Sequence, residues 1–424
     1  MKVIVVGGGI GGLSLALSLH QAGIAVRVYE AVGELKPLGV GINLQPTAVR
    51  ELTELGLADE LARAGIATQR LSYFNKLGQL VWSEPRGLSA GYKWPQYSMH
   101  RGQLQMLLLR AVRARIGSDN VRGGLRLISF AQDRDRVTAT FKGGEATPVT
   151  DRADILVGAD GIHSTVRRAL YPNEGEPRFA QQLLWRGAVD TEPFLGGATM
   201  IIAGHFDQRI VVYPMAQAAK AGHLLINWVC QVAISDQSPP REDWNRKVEK
   251  DRVLAAFARW RLPWLDMPAL IRNTPEVYEF PLVDRDPVQA WSFGRVTLIG
   301  DAAHPMHPTG SQAGSQAIVD ARALTAALLA ATDPIEALAL YDAERRPAMN
   351  DVTLRNRCFG PEAAMQLAEE RAPDGFDRIE DVVSRDELET AVAAFSSAAG
   401  LDAKVVNSRP SFVPSGHYGN RADW

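Results

Sequence analysis

The stretch VIVVGGGIGG at residues 3–12 decides the fold, because a run of β-branched residues leads directly into a glycine-rich turn. Gly7, Gly9 and Gly12 fit the pattern G-x-G-x-x-G, which joins a strand to a helix in dinucleotide-binding folds. In that pattern the first glycine permits the tight turn, the second lets a pyrophosphate approach the backbone, and the third allows close helix packing. The sequence therefore predicts a dinucleotide site in its first turn.

The residues after the turn support this prediction. A helical pattern runs from about residue 11 to Ala22, and its N-terminal amides would face the phosphates. Residues 25–29 predict a second strand, and Glu30 follows it, about 20 residues after the turn. A carboxylate there accepts hydrogen bonds from ribose hydroxyls and repels a 2′-phosphate, so this site favours FAD or NAD over NADP.

Composition excludes several functional classes. The 424 residues include 46 Lys and Arg against 48 Asp and Glu, which gives no electrostatic basis for binding nucleic acid or an anionic membrane. Cys230 and Cys358 lack metal-type or redox-pair spacing, so we expect free thiols, no metal site and a cytoplasmic protein. The apolar N-terminus is interrupted by glycines and by His20, unlike a signal peptide, and no segment is long enough to predict a membrane span.

Two further motifs follow buried-strand patterns. The first is Gly158-Ala159-Asp160-Gly161, and the second is Gly300-Asp301-Ala302-Ala303-His304-Pro305, continued by PTGSQAG at residues 308–314. Ligands bind at the carboxyl ends of strands in open α/β sheets, so Asp301 could hold a ribitol or ribose hydroxyl of a cofactor. Asp160 could be a turn residue or helix cap, and Asp301 a helix N-cap, a role compatible with cofactor binding.

The glycine turn with Glu30, the Asp160 motif and the Asp301 motif, in this order, resemble the group A, single-component FAD-dependent aromatic hydroxylases. Salicylate and p-hydroxybenzoate hydroxylases are examples of this family. The resemblance covers about residues 3–346, and residues 300–321 are most similar to salicylate-hydroxylase-like and phenazine-modifying members. It implies tightly but non-covalently bound FAD, NAD(P)H as a transient electron donor and O2 as co-substrate.

The resemblance also assigns residues to the cofactor. Arg101, in the stretch HRGQL, matches an arginine that contacts FAD in the family, although it could also be a surface charge before a helix. The predicted FAD contacts are Gly7, Gly9, Ile10, Gly11, Gly12, Leu13, Glu30, Gly41, Ile42, Arg101, Asp160, Gly161, Arg167, Gly300, Asp301, Pro308, Gly310, Ser311, Gln312, Ala313 and Gly314.

The implied reaction is hydroxylation of a small aromatic molecule, through a C4a-hydroperoxide of the reduced flavin. Pro308 matches a proline near the reactive edge of the flavin, and His304 and Tyr213 complete the predicted catalytic set, although His304 could equally be structural. A base that deprotonates a phenol would speed the attack on the ring. Candidates by residue type are His205, His223, His304, His307 and Tyr213.

Substrate contacts are predicted on aromatic strands in the second half of the chain. Trp185, Arg186, Tyr213 and Trp228 are the candidates, with Arg186 as a partner for a substrate carboxylate. The alternative is that the aromatic residues are core, as is common in a half-buried sheet.

The predicted fold class is α/β, with a Rossmann-type FAD-binding domain, an inserted and largely antiparallel substrate domain, and a helical C-terminal region. The predicted FAD-binding domain comprises residues 1–75, 97–180 and 283–346, the substrate domain 76–96 and 181–282, and the helical or irregular cap 347–424. We expect a monomer or homodimer.

Other reaction classes stay open at this point. A related epoxidase, a Baeyer–Villiger-type oxygenase or a reductase could use the same scaffold, and a simple NAD-dependent dehydrogenase is a more distant alternative. The combination of the Asp160 and Asp301 motifs argues against the dehydrogenase. The absence of a second G-x-G-x-x-G and of C-x-x-C separates the chain from disulfide reductases.

Overall fold

A computed structural model describes residues 1–144, 147–235, 246–358, 362–398 and 400–414. Its first layer is a five-stranded sheet built from β1 (Lys2–Val6), β2 (Ala25–Tyr29), β8 (Val121–Arg122), β12 (Ile155–Gly158) and β18 (Val296–Leu298). The strand order is β18-β12-β1-β2-β8, and every neighbouring pair is parallel. The glycine turn, the Asp160 motif and the Asp301 motif therefore meet at one edge, which confirms the Rossmann-type prediction.

Helices pack against this sheet or against one another around it. They are α1 (Ile10–Gln21), α2 (Pro46–Glu54), α3 (Ala58–Ala64), α4 (Arg101–Ile116), α5 (Thr165–Leu170), α8 (Ala313–Ala330) and α9 (Pro334–Arg357). Helix α1 contacts both α4 and α8, and for this reason residues 12–19 are buried on all sides. Burial on every side explains why the helix is apolar without a polar stripe. It holds the glycine turn rigidly at the sheet edge.

The second layer is a seven-stranded sheet. Its strands are β5 (Arg70–Phe74), β6 (Leu80–Pro85), β13 (Arg178–Thr191), β14 (Thr199–Gly204), β15 (Gln208–Gln217), β16 (Leu224–Ala233) and β17 (Tyr278–Asp284). The order is β17-β13-β16-β15-β14-β5-β6, and all pairs are antiparallel except β14 with β5. This sheet is the largely antiparallel domain predicted from the sequence.

The two faces of this sheet have different partners, because successive strand residues point to opposite sides. One face packs into a core with α6 (Lys250–Ala256) and α7 (Met267–Asn273), which contribute Val253 and Ile271. The other face points towards the five-stranded sheet and a cavity. A site between the two layers therefore receives every second residue of the strands.

Two small sheets complete the architecture. One has the order β3-β7-β4, from β3 (Gly41–Leu44), β4 (Gly65–Thr68) and β7 (Gln96–His100), and the other has the order β11-β10-β9, from β9 (Arg126–Gln132), β10 (Val137–Lys142) and β11 (Val149–Ala153). The first of them links the layers, since the Gly41 amide donates to Asn227 Oδ1 of β16 over 2.8 Å.

The C-terminal region is helical where it is described, with α10 (Ala363–Arg371), α11 (Arg385–Ala398) and α12 (Ala403–Ser408). Met365 and Val383 pack against Leu71 and Met200 on the cavity side of the seven-stranded sheet. The C-terminal region therefore covers part of the seven-stranded sheet. Residues 359–361, 399 and 415–424 of the predicted cap lie outside the described ranges.

Two predicted domain boundaries differ from the structure. Strand β5, Arg70–Phe74, falls within the predicted FAD-binding domain. In the structure it pairs with β14 in the seven-stranded sheet. Helix α9 continues from Pro334 to Arg357 through Pro347, so no break separates residues 346 and 347. No helix in the described ranges combines the length and apolar character needed to cross a bilayer.

Candidate active site

The three glycines of the opening turn have different surroundings. Gly7 has φ +112°, and a Cβ there would lie 2.3 Å from the Ala159 carbonyl oxygen. A Cβ at Gly12 would lie 2.1 Å from the Gly7 oxygen, whereas a Cβ at Gly9 would meet nothing within 4 Å. Packing therefore requires glycine at the first and third positions. At the second position the turn leaves open space for a phosphate.

Glu30 closes the turn from the second strand. Its carboxylate accepts the Gly8 amide over 2.7 Å and the Val32 amide over 2.8 Å, which leaves further lone pairs for ribose hydroxyls. Leu13, by contrast, is not placed to contact a cofactor. Its side chain is fully buried in the core, and its amide already donates to the Gly9 oxygen over 3.0 Å.

A cavity of about 600 Å³ lies between the motif edge of the parallel sheet and the seven-stranded sheet. It brings together most of the residues predicted for the cofactor and part of the substrate set. Those lining it are Gly9, Ile10, Gly11, Gly41, Ile42, Arg101, Asp160, Gly161, Arg186, Tyr213, Gly300, Asp301, Pro308, Gly310, Ser311, Gln312, Ala313 and Gly314.

Asp301 faces this cavity from the first turn after β18. It is half-buried, and its carboxylate forms no hydrogen bond or ion pair with any described residue. The alternative role of a helix N-cap is not realised, because no side-chain cap bond is present there. A free carboxylate at this position suits a ribityl or ribose hydroxyl of the flavin.

Asp320 of α8 positions this turn, and sequence reasoning did not identify it. One carboxylate oxygen accepts the Gly300 amide over 3.0 Å and contacts His304 Nε2 at 2.5 Å, and the other accepts Arg345 Nε over 2.9 Å. Burial raises the pKa of Asp320, but the charges of His304 and Arg345 outweigh it and lower the pKa to about 2. The ionised carboxylate thus fixes the turn that carries Asp301.

His304 is therefore a structural residue, which corrects its prediction as catalytic. It is buried at 3% exposure, bonds Asp320 and lies with its ring 5.2 Å from the Trp291 ring. It does not line the cavity.

Arg167 is a second correction. Its guanidinium donates to Glu174 over 2.9 Å, to the Ala303 oxygen over 2.7 Å and to the Asp286 oxygen over 3.0 Å. These partners use its donors, and the residue does not line the cavity. Arg167 supports the loop behind Asp301 instead of contacting a cofactor directly.

Asp160 lines the cavity and also caps a helix. Its carboxylate accepts Ser164 Oγ over 2.5 Å and the Thr165 amide over 2.7 Å at the start of α5. Burial raises the pKa of this carboxyl. Asp160 thus acts as a helix cap, as the alternative interpretation predicted, and it also lines the cavity.

The N-terminus of α8 opens onto the cavity. Gly310 has φ +67° and Ser311 has φ +55°, and no side chain caps the first turn of the helix. Gly314 lies against β3, where an added Cβ would come within 2.6 Å of Ile42 Cδ1. The unpaired amides and the helix dipole favour negative charge at this position.

On the seven-stranded sheet, Arg186 and Tyr213 point into the cavity. Arg186 makes no ion pair or hydrogen bond with a described residue, and its guanidinium lies 5.5 Å from the Phe280 ring centroid. Burial lowers the pKa of Arg186. Burial also raises the pKa of Tyr213, although the charge of Arg186 partly opposes that rise. Tyr213 therefore stays protonated, so its hydroxyl is a hydrogen-bond donor, which argues against its use as a base.

Trp185 and Trp228 point the other way, which corrects both predictions. Trp185 Nε1 donates to Glu279 over 2.9 Å, and Trp228 Nε1 donates to Thr274 Oγ1 over 2.7 Å. Both rings belong to the core shared with α6 and α7. Trp185 and Trp228 are therefore core residues, as the alternative interpretation of these aromatic side chains predicted.

The remaining histidine candidates also lie outside the cavity wall. Burial lowers the pKa of His307 to about 4, and that of His205 is also lowered, mainly by burial. His223 pairs with Asp190 over 2.7 Å at the edge of the sheet. Within the described residues, none of these histidines is placed to deprotonate a substrate in the cavity.

Several polar residues of the cavity had no sequence signal. Arg209 forms a buried ion pair with Glu362, and its Nη2 donates to Gln231 over 2.8 Å. Burial lowers the pKa of Arg209 to about 10. Other unpredicted polar residues on the wall are Tyr73, Arg86, Gln96 and His163.

These groups fit FAD: an open glycine turn for the pyrophosphate, Glu30 for one ribose, a free Asp301 carboxylate and an uncapped helix N-terminus. Among the described residues, no group of three or more His, Cys, Asp or Glu side chains could hold a metal ion.

Comparison with known proteins agrees with this geometry. A family model described as "FAD binding domain" matches residues 1–356. Phenazine 1,6-dicarboxylic acid hydroxylase PhzS of Lysobacter antibioticus is 46% identical, with 84% of this chain and 89% of the relative covered. 3-Amino-4-hydroxybenzoate 2-monooxygenase PtmB3 of Streptomyces platensis is 33% identical, with 90% and 94% covered.

Among solved structures, Klebsiella pneumoniae HpxO in complex with FAD and uric acid matches with a TM-score of 0.72 and 25% identity. The match covers 96% of each chain. The chain thus belongs to the FAD binding domain family, and within it to the group A flavoprotein aromatic hydroxylases.

Proposed function

We propose that this FAD-dependent monooxygenase hydroxylates a planar aromatic carboxylic acid of the size of a phenazine carboxylate, with electrons from NAD(P)H. The observation that carries the proposal is Arg186, a half-buried cation with no anionic partner among the described residues, whose neighbours on the sheet face are apolar. The similarity to a phenazine dicarboxylic acid hydroxylase supports the same substrate class.

The wall around Arg186 suits a flat ring. Leu184, Val211 and Val229 lie on the same face of the sheet as the guanidinium, and Phe280 flanks it. A half-buried arginine without an anionic partner gains most from a carboxylate, which accepts two parallel hydrogen bonds. Carboxylate binding at Arg186 would therefore set the position and orientation of the ring.

The other residues have roles that follow from their placement. When bound, FAD supplies hydride acceptance and oxygen activation. Asp301 accepts hydrogen bonds from a flavin hydroxyl, and the N-terminal amides of α8 stabilise negative charge beside Pro308. Tyr213 donates a hydrogen bond to a ring substituent. The C-terminal helices cover the sheet and help to exclude water.

The test measures NADH and NADPH oxidation by the FAD-loaded enzyme with a panel of aromatic and phenazine carboxylic acids. We expect stimulation by at least one acid and a product that has gained one oxygen atom. Loss of the carboxyl in the same step would indicate hydroxylative decarboxylation, and an epoxide or lactone would identify another oxygenation on this scaffold. Oxidation that no aromatic acid stimulates would contradict the proposal.

Arg186→Met sharpens this test. We expect the KM for an aromatic carboxylate to rise about tenfold or more, since a charged hydrogen-bonded pair is lost. The KM for an uncharged aromatic should change little. Trp185→Phe is the matched control, because its side chain leaves the opposite face of the same strand. Equal changes in KM for charged and uncharged substrates would contradict the proposed role of Arg186 in carboxylate binding.

Location in the cytoplasm and a monomeric or homodimeric state complete the proposal. The expected location follows from the low cysteine content, which is typical of a reducing compartment.

A further inference from the structure

Three buried polar groups on the cavity wall lack the hydrogen bonds that buried groups normally make. Tyr73 Oη, Arg86 Nε and Gln96 Oε1 are all inaccessible to solvent and have no partner with good hydrogen-bond geometry among the described residues. The Arg86 guanidinium lies next to the Tyr73 hydroxyl, where it opposes the rise in the pKa of Tyr73 that burial causes. Tyr73 and Gln96 are 0% and 2% exposed. A buried polar atom without a partner costs about 1–3 kcal/mol, so three in one place require an explanation.

The fold brings these residues together from three strands. Tyr73 lies on β5, Arg86 directly follows β6, which pairs with β5, and Gln96 begins β7. Gly87 makes the close approach possible: with φ +54°, an added Cβ would lie 2.5 Å from the Gln96 amide nitrogen. The three side chains line the same cavity as Arg186.

Their position relative to Arg186 follows from the strand register. Arg186 on β13 and Tyr73 on β5 are joined by a series of directly paired residues. From the Arg186 end, the residues between them are Val229, Val211 and Ile202. Arg186 and Tyr73 thus occupy one row across five strands, with only apolar residues between them. Four strand spacings separate their backbones by on the order of 19 Å, and both long side chains extend from the same face.

The chemistry at the Tyr73 end differs from that at Arg186. Arg86 is paired with Glu84, so its charge is already compensated while its Nε–H stays available. The site offers donors from Tyr73 and Arg86 and both donor and acceptor atoms from the Gln96 amide. Two donors and an acceptor match the two oxygens of a carboxyl group and its proton.

We propose that Tyr73, Arg86 and Gln96 form a second recognition site, which binds a second carboxyl group on the same planar ring system that Arg186 holds by its first. The inference rests on the proposed function, because it assumes that an aromatic carboxylic acid enters this cavity. It makes the enzyme selective for diacids over monoacids. The apolar row between the two ends accommodates the rings.

The experiment measures equilibrium binding to the oxidised, FAD-loaded enzyme through the perturbation of flavin absorbance. The two probes are phenazine-1-carboxylate and phenazine-1,6-dicarboxylate. Tyr73→Phe removes a hydroxyl that makes no hydrogen bond of good geometry with a described residue, so the variant should fold normally. We expect its Kd for the diacid to rise about tenfold, while the Kd for the monoacid changes less than twofold.

Gln96→Leu provides an independent second variant with the same expected pattern. Tyr171→Phe is the matched control, since it deletes a phenolic hydroxyl outside the cavity, where it donates to the Ala290 oxygen over 2.7 Å. We expect the control to leave both Kd values unchanged.

The outcomes separate the two proposals. If the wild-type enzyme binds neither acid, the proposed function fails, and the second site fails with it. If it binds both acids and Tyr73→Phe and Gln96→Leu change their affinities equally or not at all, the second site is overturned while the proposed function stands. A selective loss of diacid binding in both variants supports the second site.

Discussion

Asp301 is held in place through the backbone, since none of the described residues bonds its carboxylate. Asp320 fixes the Gly300 amide and His304 behind it, and the carboxylate of Asp301 stays free towards the cavity. A group with this arrangement is available to a ligand and contributes little to the stability of the protein itself.

We predict that Asp301→Ala weakens FAD binding by about tenfold or more, because the hydrogen bond to a charged acceptor is lost. The thermal stability of the apoprotein should stay within about 0.5 kcal/mol of the wild type. FAD titration by fluorescence quenching measures the first quantity and apoprotein melting the second. Asp135→Ala, at an exposed position far along the chain, serves as control. Unchanged FAD affinity in Asp301→Ala would refute the assigned role.

Single residues also show where sequence reasoning was wrong. Trp185 and Arg186 were both predicted to contact substrate, yet neighbouring residues of one strand point to opposite faces. That rule alone excludes one of the two, and the structure selects Arg186. Asp320 left no comparable signal, because nothing in a helical pattern distinguishes a buried anchoring carboxylate from a solvated one.

At the scale of elements, the β1–turn–α1 unit depends on glycines for two separate reasons. Gly12 allows α1 to approach the backbone of the turn, while Gly9 leaves space outside it. The same substitution should therefore have different consequences at the two positions.

We predict that Gly9→Ala preserves the fold and lowers FAD affinity, since its Cβ occupies open space needed by the pyrophosphate. Gly12→Ala should destabilise the protein by several kcal/mol, because a Cβ 2.1 Å from a backbone oxygen forces the helix away from the strand. Urea unfolding of the apoproteins and FAD titration separate the two effects. Equal stability losses in both variants would contradict this division.

Most elements were predictable where the signal is local. The β1–α1–β2 order follows from such a short pattern. The parallel pairing of β5 with β14 does not, because it joins segments about 130 residues apart, and residue patterns carry no register between such segments. The Tyr73 end of the cavity depends on that pairing, which is why the sequence did not indicate it.

At the scale of the molecule, the C-terminal region is attached to both layers. The buried Arg209–Glu362 pair connects it to the seven-stranded sheet. Arg50 of α2 donates to the Val406 and Arg409 oxygens over 2.8 and 2.6 Å. The helical content of this region was predictable, but these attachments were not, because they join residues about 150 to 360 positions apart.

We predict that Glu362→Leu lowers the free energy of unfolding by about 3 kcal/mol, since it leaves the Arg209 charge buried without its partner. The double variant Arg209→Met/Glu362→Leu should lose about 2 kcal/mol less than the sum of the single variants. Urea unfolding of all three measures the coupling. Glu387→Leu, which removes an exposed partner of Arg371, should leave the free energy of unfolding nearly unchanged. Additive single effects would show that the buried pair is not coupled.

The strand order of the parallel sheet also has a consequence for biosynthesis. Strand β12 ends at Gly158, but its outer neighbour β18 begins only at Val296. At translation rates of about 5–20 residues per second, synthesis of β18 follows that of β12 by on the order of ten seconds. During that interval the outer edge of β12 has no strand to pair with. The turn with Asp301 is synthesised after that, so the cavity wall that it contributes can form only late in synthesis. Chaperones that shield open strand edges would act in this interval.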